Sequence, residues 1–65
     1  MKTLTAKQVK RLEPGTDVFC VDDATGQRAR LYVIKSGRKK MLKMPFLGRM
    51  HEIADIPGLH YEVEK

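Results

Sequence analysis

Two groups of side chains in this chain are of types that could do chemistry. The larger joins rings to cations: Phe19, Arg28, Arg30, Tyr32, Arg38, Lys39, Lys40 and Lys43. Arg28, Arg30 and Tyr32 recur every second residue, a spacing that sends all three to one side of a β-strand. Like charges held side by side repel one another unless an anion lies between them. Rings stack on bases and cations neutralise phosphate, so this combination is what a nucleic-acid platform requires. The structural alternative makes Phe19, Val21, Ile34 and Met41 a second small core under a helix, with the arginines snorkelling at its edge. The run Arg38-Lys39-Lys40, with Lys35 and Lys43 nearby, would enter a groove or lie along phosphates. Its plainer role is to guard a strand edge against aggregation.

The second group is His51-Glu52-Ile53-Ala54-Asp55. It resembles the metalloprotease HExxH motif with Asp55 in place of the second histidine, and only the distant His60 could extend the ligand set. A short solvated helix explains the pattern more simply. Asp22 and Asp23 are adjacent, and neighbouring strand residues point apart, so they suit a turn better than acid–base work. Cys20 falls among apolar residues, where a free thiol behaves as a small hydrophobe. No P-loop, dinucleotide-binding glycine turn or nucleophile elbow is present. The expectation is a non-enzymatic protein with no catalytic residue, metal or cofactor.

Composition narrows the setting. A chain of 65 residues is one domain, and a domain of that size buries only about 60% of its unfolded surface. The net charge of +5 attracts polyanions or simply keeps the protein in solution. A single cysteine forbids an internal disulfide, which suits a reducing compartment. No apolar run reaches the length of a signal peptide or membrane span. These features suggest a cytoplasmic protein, and small size suggests a bacterium or phage as its source.

The elements that must position the rings and cations follow from periodicity. Residues 4–12 read as a short helix with Thr5 as N-cap, Gln8 closing a capping box, and Leu4 stapled on Val9. Ala6, Val9 and Leu12 give a narrow apolar stripe, and Pro14-Gly15 stops the helix. Residues 17–22, 27–35 and 40–44 read as three meandering strands. Gly26 closes the first hairpin as a glycine bulge after a type I turn, and Gly37 is the first central residue of a type II′ turn in the second. These turns pair Cys20 with Ala29, Val18 with Leu31 and Phe19 with Arg30, then Val33 with Leu42, Leu31 with Met44 and Tyr32 with Lys43. One face then carries Val18, Cys20, Ala29, Leu31, Val33, Leu42 and Met44 as core. The other carries Phe19, Val21, Arg28, Arg30, Tyr32, Ile34, Met41 and Lys43.

Phe46-Leu47-Gly48 reads as a loop, and residues 49–55 as one or two helical turns with Met50, Ile53 and Ala54 inward. Residues 59–64 alternate cleanly and predict a last strand packed against the first hairpin. Over seven residues, Leu12-Glu13-Pro14-Gly15-Thr16-Asp17-Val18 resembles the stretch that leads into small SH3-like barrels. The expected fold is therefore α+β: about four strands in a strongly bent antiparallel sheet or open SH3-like barrel, a short N-terminal helix, and a short helical turn before the last strand. The expected function is nucleic-acid binding, DNA or RNA, through the basic aromatic face and the hairpin tip. The alternative is a protein-interaction module (adaptor, inhibitor or homodimer) using the same face. No membrane or small-molecule substrate is expected.

Overall fold

The computed structural model describes residues 1–46 and 48–64. The β-branched and aromatic residues of the middle of the chain form β2 (Asp17–Asp22), β3 (Arg28–Ser36) and β4 (Lys39–Lys43). Their register is the one the turns predict. Val18 faces Leu31, Phe19 faces Arg30 and Cys20 faces Ala29, while Val33 faces Leu42 and Tyr32 faces Lys43. In the first turn the Gly26 amide donates to the Asp22 carbonyl at 2.7 Å, and the Asp22 carboxylate accepts from the Ala24 amide at 2.9 Å. Gly37 takes a φ of 63° and Arg38 stays at negative φ, as a type II′ turn demands. The ladder ends at Tyr32–Lys43, so the expected Leu31–Met44 pair is not made. The Met44 amide donates instead to the Arg49 carbonyl at 2.9 Å.

Three further strands flank this meander: β1 (Lys2–Leu4), β5 (Met50–Glu52) and β6 (Leu59–Val63). All six form one antiparallel sheet in the order β1-β6-β2-β3-β4-β5. β6 pairs with β2, so the last strand does dock on the first hairpin. The sheet is open, with β1 and β5 at its edges, and does not close into a barrel.

Two expectations are corrected here. The helix predicted over 4–12 is a single turn, α1 (Ala6–Val9). Its capping box is present: the Thr5 hydroxyl accepts from the Gln8 amide at 3.2 Å, and the Thr5 amide donates to the Gln8 side chain at 2.9 Å. Leu4 is buried in the same core cluster as Val9. It also lies in β1 opposite Tyr61, a long-range pairing that no local pattern announces. After Val9 the hydrogen bonds tighten to three-residue steps, from Arg11 to Gln8 and from Leu12 to Val9, the usual way a short helix ends.

The second correction concerns residues 49–55, which form no helical turn. Met50, His51 and Glu52 pair with Lys43, Leu42 and Met41. The open edge of β4 offers a row of backbone partners, and pairing there outweighs a helix too short to be stable alone. Ile53 is buried as expected, but Met50 and Ala54 are exposed. Of the loop expected at Phe46-Leu47-Gly48, Leu47 lies outside the described residues.

The core sits on one side of the sheet. Val9, Val18, Val33 and Leu42 are fully buried, joined by Leu4, Ala6, Leu31, Ile53, Tyr61 and Val63. Each such aliphatic side chain contributes about 1.5–3 kcal/mol on burial. Ala6 and Val9 place α1 on this same side. No described helix is long and apolar enough to cross a membrane.

Candidate nucleic-acid interface

Because side chains alternate, the register that builds the core sends Phe19, Val21, Arg28, Arg30, Tyr32, Ile34, Met41 and Lys43 to the opposite side of the sheet. The helix is on the core side, so it does not cover them. Phe19, Tyr32, Ile34, Met41 and Lys43 are half-buried, whereas Arg28 and Arg30 are exposed. Val21 is the exception: it is buried, yet outside the core cluster, and stands between Arg28 on β3 and His60 on β6.

The Arg28 guanidinium lies 4.5 Å from the centre of the Phe19 ring. An exposed cation–π contact of this kind contributes about 0.5–1 kcal/mol, and it presents ring and charge as one surface. Arg28 also touches the Met1 thioether. Both arginines have carboxylates nearby: Arg28 is 3.8 Å from Glu62, and Arg30 is 4.0 Å from Asp17. The Arg30–Asp17 pair is exposed on both sides and worth about 0–1 kcal/mol, so it is easily exchanged for another anion, whereas Glu62 beside Arg28 is half-buried.

Glu62 also reaches His60. The Nε2 of the imidazole is 2.6 Å from Glu62, and its Nδ1 meets the Asp23 carboxylate. The hydrogen bonds to Glu62 and then Asp23 raise the pKa of His60 above its ordinary value of 6.5. One margin of the face is thus an acid–imidazole–acid cluster. Sequence reasoning placed His60 and Glu62 on one side of a strand, but not beside Arg28. That requires the pairing of Phe19 with Glu62 and Val21 with His60, which joins distant regions of the chain.

The hairpin tip is a separate centre. Lys39 is 3.2 Å from Glu52. Lys40, two residues before the buried Leu42, lies on the core side of β4, and its ammonium donates to the Leu12 carbonyl at 2.7 Å. Around them opens a cleft of about 350 Å³ lined by Lys10, Arg38, Lys39, Lys40, Glu52 and Ile53. The eight site residues read from the sequence therefore divide in two. Phe19, Arg28, Arg30, Tyr32 and Lys43 share the uncovered face; Arg38, Lys39 and Lys40 line the cleft, Lys39 from the side of β4 that carries Met41 and Lys43, and Lys40 from the core side. Lys10 belongs with the second group and was missed, because in the sequence it is only a charge off the helix stripe.

The HExxH-like residues are drawn apart. His51 is exposed on β5, Glu52 pairs with Lys39, and Asp55 accepts from the Ala6 amide at 3.2 Å. Among the described residues no group of three His, Cys, Asp or Glu side chains is placed to hold a metal ion. Cys20 is half-buried, and burial first, then Asp22, pushes its thiol pKa upward.

Compared with protein-family models, curated proteins and solved structures, the chain matches none.

Proposed function

We propose that this chain is a non-enzymatic nucleic-acid-binding protein with an accessory or regulatory role. The observation that carries the reading is the uncovered sheet face, where Arg28 stacks on Phe19 and Arg30, Tyr32 and Lys43 lie alongside. A strand laid along β3 would meet a ring and cations together, and its phosphates would replace the Asp17 and Glu62 carboxylates as partners of the arginines. Binding of this kind is mostly electrostatic. We expect labelled single-stranded and duplex oligonucleotides to bind in a salt-sensitive manner. Arg30→Ala should lower the salt slope by about one, and Tyr32→Ala should weaken binding through lost stacking, by about 1–3 kcal/mol where a base stacks fully. No binding at low salt would overturn the proposal.

A second reading, a protein-interaction module, is favoured by a different observation. The carboxylates beside Arg28 and Arg30 reduce the net charge of the face, leaving Phe19, Ile34 and Met41 as a half-buried apolar surface. Phe46 is also 98% exposed. Aromatic and arginine side chains of this kind act as hot spots between proteins. Association through them would depend only weakly on salt, in contrast to the first reading.

A further inference from the structure

The cleft at the hairpin tip draws cations from separate regions of the fold. Lys10 comes from the end of α1, and Arg38, Lys39 and Lys40 from the β3–β4 turn and the strand after it. Glu52 is the one carboxylate among the described residues lining it. Its side chain and that of Lys39 are 69% and 72% exposed, so their 3.2 Å pair is easily displaced. Lys40 is pre-positioned by its bond to the Leu12 carbonyl and keeps two further N–H donors. The buried Ile53 forms an apolar wall, which strengthens electrostatic attraction beside it.

Resting on the nucleic-acid reading above, we propose that this cleft binds a phosphate group of the ligand and that Glu52 occupies its place in the free protein. The entering phosphate takes Lys39 from Glu52 and is flanked by Lys10 and Arg38. The sheet face then supplies stacking while the tip supplies the stronger charge contact. A backbone phosphodiester and a free phosphorylated molecule present the same oxyanion, and the experiment separates them.

Anisotropy of a labelled single-stranded oligonucleotide is measured with the wild type, Glu52→Gln, Lys10→Gln, Arg38→Gln and Glu64→Gln. Glu64→Gln makes the same change in net charge away from the cleft. Glu52→Gln is expected to bind about two- to fivefold more tightly, the range an exposed ion pair spans, and Glu64→Gln to stay near wild type. Lys10→Gln and Arg38→Gln should each weaken binding and lower the salt slope by about one. If oligonucleotide binds but Glu52→Gln and Glu64→Gln behave alike, the cleft proposal is overturned and the sheet-face reading stands. If no protein in the series binds oligonucleotide, the nucleic-acid reading fails. Pyrophosphate, followed through the backbone amide signals of Arg38, Lys39 and Ile53, then decides the cleft. Shifts that grow tighter with Glu52→Gln assign it to a free phosphorylated ligand, and their absence overturns it.

Discussion

His60 is gripped on both ring nitrogens, by Glu62 and by Asp23, so its ionisation is coupled to the fold. Its pKa is raised in the folded protein, first by Glu62 and then by Asp23, so folding favours the protonated ring. The stabilisation is complete below the unfolded value of about 6.5, while the carboxylates are still ionised. It is lost as the pH rises through the higher folded value. Thermal melts from about pH 6 to about pH 9, a window spanning the ordinary histidine value, should therefore show Tm declining. His60→Gln should flatten that decline; an unchanged slope would count against the assignment. Glu62 links the same imidazole to Arg28, so the charge state of one margin bears on the partner of the cation that stacks on Phe19.

Among the elements, the segment between β5 and β6 is held by side chains more than by ladder bonds. The Tyr61 hydroxyl donates to the Ala54 carbonyl at 2.9 Å and accepts from the Ala54 amide at 3.4 Å. Asp55 ties the same segment to the start of α1. Tyr61→Phe keeps the ring in the core and removes the hydroxyl, and should cost about 0.5–1.5 kcal/mol in denaturant melts, the net worth of an ordinary hydrogen bond, because Ala54 is exposed and water can replace the hydroxyl. A loss well below about 0.5 kcal/mol would show the bond to be dispensable. These bonds also show what could and could not be read in advance. The β2–β3–β4 meander was legible because Gly26 and Gly37 sit where positive φ is needed, and each turn then sets every pair in its hairpin. β6 was legible from its alternation. β1 and β5 were not: each has three residues, too few for a period, and each is a strand only because a distant edge accepts it. The candidate site divides along the same line. Phe19, Arg28, Arg30, Tyr32 and Lys43 share a face by local register, whereas Glu62 beside Arg28 and Lys10 beside the tip depend on contacts between remote segments.

At the scale of the whole molecule, β6 stands between β1 and β2, so β1 joins the sheet only through a strand far from it in sequence. Pairing Leu4 with Tyr61 closes a loop of nearly the entire chain, and such non-local contacts slow folding. Lys2 lies opposite Val63, which brings the two ends together. A circular permutant that joins them by a short flexible linker and opens the chain in the exposed turn between Pro57 and Gly58, where no hairpin of the sheet is cut, should keep the same sheet. It turns β6–β1 into a hairpin and should refold faster in stopped-flow measurements; slower refolding with the native sheet intact would contradict this account. The same adjacency gives the molecule a mechanical character. A force applied to its two ends loads the β1–β6 ladder from the end where Lys2 meets Val63. The hydrogen-bonded pairs then break in succession, as a zipper opens, rather than all resisting together as a glued overlap does in shear.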